Sequence, residues 1–350
     1  RLDWTGATPA AVMETFITSQ DPWFRPVDIK LGPDGCLYIA DFYNRIIGHY
    51  EVPLNHPGRD RDKGRIWRVV YRGKAGDAPR PSASPNLVQA DGKMLVENLA
   101  HPNLTVRLQA ADQMVERVGV AAAAFLVPIV EKIADKGDGP RKAHALWVLH
   151  RLGKLDDETL ALAASADEAM VRVHAQRILA EHPAWNLRHA VLAKRGAGDS
   201  DPQVKLAAIE ALGKARTNQL ETVLAARHAV DPRDARMLYA ARLALREQLK
   251  VQETRDFLGA VKTPLSEKDH RALVDVCLGL RDAFSARLVR DFLDRYADQP
   301  DRTRALVHHA VRHGGEDGVS WAIDLVAKKY AKDRGLQGQL LKATIQAMQE

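Results

Sequence analysis

Ten polar residues crowd into one short stretch: Arg25, Asp28, Asp41, Tyr43, Asn44, Arg45, His49, His56, Arg59 and Asp60. Carboxylates set beside guanidinium groups and imidazoles can contact a substrate, a metal or a cofactor. The same side chains can instead tie a turn, and Arg25, Asp28, Asp41 and Arg45 read first as a buried salt-bridge and turn network. A second constellation is His309 with His313, at i,i+4 spacing on a predicted helix, with His308 adjacent and Glu316 near. That spacing can hold zinc, but no HExxH motif occurs and no third ligand is fixed, so these read as surface or inter-repeat histidines. Asp60-x-Asp62 is a faint calcium pattern lacking most of the loop positions such a site needs. CxxCH, Walker A, GxGxxG and GxSxG patterns are all missing, which excludes c-type haem attachment within this chain and gives no motif support to nucleotide or acyl-transfer chemistry.

The first constellation is held by short β-rich runs. Val27–Leu31 and Cys36–Ala40 flank Gly32-Pro33-Asp34-Gly35, which combines a residue of fixed φ with glycines that accept positive φ, and so predicts a hairpin. Ile46–Tyr50 and Arg65–Tyr71 supply two further strands. Val12–Thr18 reads as another strand, followed by a turn at Asp21-Pro22-Trp23. Four short antiparallel strands make one propeller blade, here the last, and one blade cannot bury both faces alone. Asp41 would end a strand at the funnel side, and the loop Glu51–Gly64 is long for a blade connection.

After a Gly-, Pro- and Ser-rich linker or strap at 72–95, the period changes to 3.6. A basic residue recurs early in successive helices at Arg107, Arg141, Arg172, Lys205, Arg236, Arg271 and Arg304. Seven positions after each anchor stands Met114, Val148, Leu179, Leu212, Leu243, Leu278 or Val311, all apolar. Second helices are expected near 121–135, 217–227 and 283–297. Asp201-Pro202 and Asp231-Pro232 carry helix-start chemistry, and Ser266 with Asp269 resembles a capping box. Asp167, Asp201 and Asp231 are placed to meet their anchors. The pattern predicts a mostly α protein: residues 96–350 form a HEAT-like α-solenoid of about seven helix pairs. A small antiparallel β segment, the incomplete terminal blade at 1–71, precedes it, and the helix around Leu336–Met348 closes the far end.

Composition narrows the rest. The chain has 350 residues, 46% of them hydrophobic, and a formal charge of +6 with acids interspersed. Glu116, Glu131, Glu158, Glu210 and Glu221 break up a basic helix face, which argues against nucleic acid. Cys36 and Cys277 are the only cysteines and read as buried free thiols. The longest apolar run, Val118–Val130, is too short to span a bilayer. Residue 1 is Arg with no signal peptide after it, the expectation for an internal or processed piece.

The full run FRPVD-x4-GPDG-x-LYIADFYNRIIGHYEVPLNHPGRDRDKGRIWRVVY resembles the last blade of the PVC-type membrane-bound dehydrogenase and haem-binding family. The resemblance covers Trp4 to Tyr71; the helical remainder matches in architecture only. It implies a glucose/sorbosone-dehydrogenase-like propeller followed by HEAT-like repeats in an extracytoplasmic, periplasmic redox protein. Haem c would sit on a separate cytochrome module, with a quinone or metal cofactor in the propeller and no cofactor within this chain. The expected function is a non-catalytic scaffold that docks the cytochrome module or another protein partner. The alternatives are part of a sugar or alcohol dehydrogenase, with its active site in other blades, and a nucleic-acid-binding HEAT protein.

Overall fold

The turn Gly32-Pro33-Asp34-Gly35 folds the chain back on itself. The Gly32 N–H donates to the Cys36 carbonyl at 2.8 Å, and Gly35 takes φ 79°, where a side chain would be strained. This turn joins β3 (Pro26–Leu31) to β4 (Leu37–Asp41), which in turn pairs with β5 (Arg65–Val69). Both pairings are antiparallel, with Leu31 opposite Leu37 and Asp41 opposite Arg65. The structure is a computed structural model that describes residues 2–46, 48, 51–73, 83–132, 137–260, 265–293 and 299–350. Among the described residues this sheet has three strands rather than four. Ile46 and Gly48 are irregular, and the remainder of the expected strand Ile46–Tyr50 lies outside the described residues. No strand forms at Val12–Thr18. The chain instead makes a two-stranded ribbon from β1 (Leu2–Thr5) and β2 (Thr8–Ala11).

Everything after the sheet is helical, and the fold is an α-rich solenoid of helix pairs. The seven anchors fall one to a helix: α2 (Leu104–Gln113), α4 (Gly139–Arg151), α6 (Ala169–Leu179), α8 (Pro202–Lys214), α10 (Ala235–Gln248), α12 (Glu267–Cys277) and α14 (Pro300–Lys328). Alternating with them are α3 (Ala123–Glu131), α5 (Asp157–Ala163), α7 (Leu187–Ala197), α9 (Leu220–His228), α11 (Gln252–Ala260) and α13 (Ala283–Phe292). A short α1 (Gly92–Asn98) precedes the array and α15 (Arg334–Gln349) follows it. Two pairs are joined by a single glycine. Gly315 (φ 60°, ψ −149°) splits α14 into two arms. Gly119 (φ 62°, ψ −144°) breaks Leu104–Glu131 after a π turn at Met114–Val118. That stretch is long and apolar enough to cross a membrane by length and composition, but the Gly119 break means that it is not one straight helix.

Five of the seven marker positions, Met114, Val148, Leu179, Leu212 and Val311, are buried, whereas Leu278 is 43% exposed and Leu243 half-buried. In α10 the buried stripe runs through Met237, Ala240, Ala241, Ala244, Leu245 and Gln248, so Leu243 falls to one side. In α12 the helix ends at Cys277, one residue before Leu278. Two anchors meet an Asp three residues before them, Arg141 with Asp138 at 3.3 Å and Arg304 with Asp301 at 3.8 Å, while others are tethered through main-chain carbonyls. Arg107 Nη1 donates to the carbonyls of His101 (2.7 Å) and Pro102 (3.0 Å), and Arg172 Nη1 to those of Ala166 (2.8 Å) and Asp167 (2.9 Å). Asp201 is spent as the N-cap of α8, accepting from Gln203 and Val204, and Asp231 pairs with Arg233 rather than Arg236. A capping carboxylate already facing orphan N–H groups has little left for a side chain four residues on. The capping box of Ser266 and Asp269 is present.

Two compact units emerge: Arg1–Leu2 with Ala11–Ala175, and Asp3–Ala10 with Gln176–Glu350. In the first unit the β3–β4 turn lies on the start of α2: Asn103 Nδ2 donates to the Gly32 carbonyl (2.8 Å) and Thr105 Oγ1 to that of Leu31 (2.6 Å). In the second, Gly213 of α8 faces α10 so closely that a Cβ there would lie 2.7 Å from Ala244 Cα. Gln248, fully buried, donates to the carbonyls of Leu212 (2.8 Å) and Ala215 (3.2 Å) and accepts from the Gln219 N–H (2.8 Å). This one side chain satisfies the end of α8 and the start of α9 at once.

The ribbon belongs to the second unit because of Asp234. Its carboxylate caps α10 through the Met237 N–H (3.1 Å) and also accepts from the Ala7 N–H (2.7 Å) and Thr8 Oγ1 (2.6 Å). Asp234→Ala is expected to cost about 1 kcal/mol through the lost cap and to free the ribbon. Amide exchange in residues 3–10 should rise to that of an unprotected peptide while α8 and α12 keep their protection; an unchanged ribbon would show that other contacts hold it.

Candidate functional site

Asp41 sits at the end of β4, 3% exposed. Its Oδ1 accepts the backbone N–H groups of Arg25 and Tyr43, both at 2.8 Å, and its Oδ2 accepts the Trp67 indole N–H at 2.9 Å. Burial pushes the Asp41 pKa up, but the Trp67 indole, the two backbone N–H groups and the Arg65 charge outweigh it and hold the carboxyl below its ordinary value. Arg65 in turn stacks over the Tyr43 ring, 3.5 Å from its centroid. Tyr43 adopts φ 46°, a strained conformation that the Asp41 bond to its N–H helps to fix. The acceptor directions of Asp41 are therefore committed to holding a turn.

The other members of the stretch divide. Arg25 contributes its backbone, and its guanidinium bonds the Phe24 carbonyl at 2.8 Å. Asp28 is exposed and pairs with Lys30 at 3.3 Å. Buried Asn44 donates to the Asp60 carbonyl at 2.8 Å, while the Asp60 side chain accepts from the N–H groups of Asp62 (2.9 Å) and Lys63 (3.1 Å). Arg59 gathers the carbonyls of Pro53 (3.1 Å), Val52 (2.7 Å) and Gly48. Exposed His56 accepts the Gly58 N–H at 3.0 Å, Arg45 is exposed, and His49 lies outside the described residues. The structure thus makes two backbone-directed knots, one at Asp41 and one in the 51–64 loop, linked through Asn44. Trp67 and Arg65, which complete the first knot, come from β5 and were not singled out in the sequence; only the Asp41–Arg65 pairing across the sheet reveals them.

Larger concavities lie between successive anchored helices. In the first unit a cavity of about 490 Å³ between α2, α4 and α6 is lined by Leu108, His144, Trp147, Met170 and His174 among others. The Trp147 indole donates to His174 Nδ1 at 2.9 Å, and burial, followed by the Arg107 charge, lowers the His144 pKa. In the second unit a cavity of about 800 Å³ between α12, α14 and α15 is lined by Arg281, Arg304, Arg312 and Lys342 together with His308, His309 and His313. A neighbouring cavity of about 590 Å³ on α10 and α12 adds Arg242, Arg246 and Tyr239. Both of these cavities include Leu278, the marker residue left off its helix stripe.

His309 is 5% exposed, with its Nε2 3.0 Å from Ser285 Oγ. The Ser285 hydroxyl donates to the Asp282 carbonyl at 2.9 Å. The imidazole must then carry its proton on Nε2 and donate it to Ser285. Burial first, then the neighbouring His313, pushes the His309 pKa down to about 4. Its ring lies 4.8 Å, centroid to centroid, from that of His313. With Nε2 turned toward Ser285, the pair is a packed element of an inter-repeat joint. Among the described residues no group of three or more His, Cys, Asp or Glu is placed to hold a metal ion.

The fold and these grooves define the class, an α-rich repeat protein with a small β segment at its start. Residues 5–73 match a family described as a domain of unknown function (DUF7133). No curated protein matches the chain. Two crystal structures of engineered proteins from a structural genomics consortium are similar to it. One is 12% identical over 74% of this chain and 78% of its own, with a TM-score of 0.33. The other is 13% identical over 75% and 98%, with a TM-score of 0.24.

Asp41→Asn would set an amide donor against the Trp67 indole N–H or against the turn's backbone donors. It is expected to cost about 1–3 kcal/mol in urea unfolding, and adding Trp67→Phe should cost less than the sum of the two single changes. A depressed histidine pKa means that protonation favours the unfolded chain. The His309 contribution is thus complete above its ordinary value of 6.5 and is lost as pH falls toward 4. The loss reaches about 3 kcal/mol at most. His309→Gln, which keeps a donor toward Ser285, should flatten that part of the stability–pH curve between about pH 7 and about pH 4.

Proposed function

We propose that this chain is a non-catalytic interaction scaffold that works through the grooves between anchored helices within each of its two units. The observation that carries this reading is the set of open grooves between those helices, lined by side chains that the core does not need. Leu108 is 49% exposed, Met170 48% and Tyr239 69%, yet each borders a concavity rather than standing alone on a convex surface. Exposed apolar residues gathered in grooves mark binding surfaces. The Asp41 knot supports the same reading from the other side, since its polar atoms are occupied in holding the turn.

In the setting that the family resemblance implies, the partner is a periplasmic protein such as a c-type cytochrome module. The exposed Ile29 and Ile66, 53% and 75% accessible, stand on opposite faces of the sheet, Ile29 in line with Ile39 and Trp67 and Ile66 in line with Ala40 and Asp28, and are then the two surfaces against which adjoining blades lie. Any sugar- or alcohol-oxidising chemistry belongs to other blades of such a protein.

The test is site-specific photo-crosslinking in cells that make the protein in its natural setting. A photoreactive phenylalanine at Leu108 or Tyr239 should give discrete protein adducts, and one at Leu187 or Val191 of α7, which are 81% and 56% exposed, should not. Adducts from both sets alike, or from neither, would overturn the reading.

A further inference from the structure

We propose that the groove along α10, α12, α14 and α15 takes an acidic peptide segment of a partner protein, an inference that rests on the scaffold reading and names the chemistry of one of its sites. The argument begins with charge. Arg281, Arg304, Arg312 and Lys342 line the larger cavity, and Arg242 and Arg246 line the one beside it. The acids in reach are engaged: Glu247 holds Arg246 at 2.6 Å and Lys250 at 2.8 Å, and Asp301 lies 3.8 Å from Arg304. Asp275 pairs with Arg302, and Asp282 caps α13 while its other oxygen holds Arg255 at 2.6 Å. Glu116, Glu131, Glu158, Glu210 and Glu221, which seemed in the sequence to interrupt a basic face, line neither cavity.

The positive field shows in the groups that share it. Arg312 and Arg281 follow burial among the causes that lower the His313 pKa, and Arg302 is lowered by burial and then by Arg242 and Arg271. Anions are drawn to such a surface, and forked guanidinium groups match a carboxylate edge.

One carboxylate already sits there. Glu350 meets Arg312 and lies 3.6 Å from His308, so the groove accepts a glutamate side chain presented from an adjacent helix end. The lining also alternates cations with Leu238, Leu243, Leu278 and Tyr239. That mixture suits a segment carrying both acidic and apolar side chains. A nucleic-acid track would offer several stacking aromatics, whereas Tyr239 is the one Phe, Tyr or Trp among the lining residues. With adjacent helices about 10 Å apart, two successive grooves span about 20 Å, the reach of about six extended residues.

The experiment uses the full chain and three fluorescent probes. These are an octapeptide of six glutamates and two leucines, the same peptide with glutamine for every glutamate, and a short single-stranded DNA. The acidic peptide should bind and the amide peptide should not. Arg281→Glu with Arg304→Glu should weaken the acidic peptide by about tenfold or more, Glu350→Gln should tighten it, and Arg188→Glu with Lys194→Glu on α7 should leave it unchanged. Circular dichroism melts confirm that the exposed double variants fold.

Equal binding of the two peptides, or binding of neither, overturns the proposal. So does DNA that binds more tightly than the acidic peptide and is lost in the Arg281/Arg304 variant, which would make the groove a nucleic-acid track. If adducts form at Tyr239 in cells while the acidic peptide fails, this inference falls and the scaffold reading stands. Peptide binding without adducts at any groove position sinks the scaffold reading instead.

Discussion

Every helix pair in this chain has an apolar face that only the next pair can cover, and the rest of the structure answers to that constraint. Covering it requires close approach, which explains the Ala and Gly residues at the α8–α10 contact and the absence of room for a Cβ on Gly213. Close approach also buries helix ends, whose unpaired N–H and C=O groups must then be met from within the protein. Gln248 meets three of them from one fully buried side chain, and the arginines Arg107 and Arg172 meet others through main-chain carbonyls. The basic anchors Arg107 and Arg172 are thus part of the solution to burial, while Arg141, Arg271 and Arg304 each pair with an acid at the start of their own helix.

What could be read in advance follows from how local its cause is. The anchored helices were legible because a 3.6-residue period and an N-cap are both written within one turn of the helix they specify. The β3–β4 hairpin was legible because four consecutive residues dictate it. The ribbon at Leu2–Ala11 was not, since the carboxylate that pins it, Asp234, lies more than two hundred residues away. The stretch Val12–Thr18 has the composition of a strand but pairs with none of the described strands, and composition alone does not make a ladder. The expected bridges from Asp201 and Asp231 failed because a nearer claimant, the helix's own N–H groups or Arg233, took the carboxylate first.

The candidate sites divide in the same way. Asp41 stood out as a buried polar residue in a dense cluster, but its role depends on Trp67 and Arg65, which cross-strand pairing brings alongside it. The grooves were less visible still. Arg281 in the turn after α12, Arg312 on α14 and Lys342 on α15 have nothing in their spacing to connect them, and only folding sets them around one cavity. Counting charges along the chain gave a nearly balanced surface; folding sorts those charges, so that the second unit's grooves collect cations while the acids counted against them lie elsewhere.

Gly119 and Gly315 take almost the same backbone conformation, near φ 60° and ψ −145°, and a Cβ at either would meet no neighbouring atom. Space therefore does not select glycine at these two positions; the torsion angles do. A single residue that closes a helix pair leaves no slack in the connection. These two junctions are thus the places where the array tolerates neither a longer loop nor a different residue, and any insertion that lengthens the array must enter at the multi-residue turns of the other repeats.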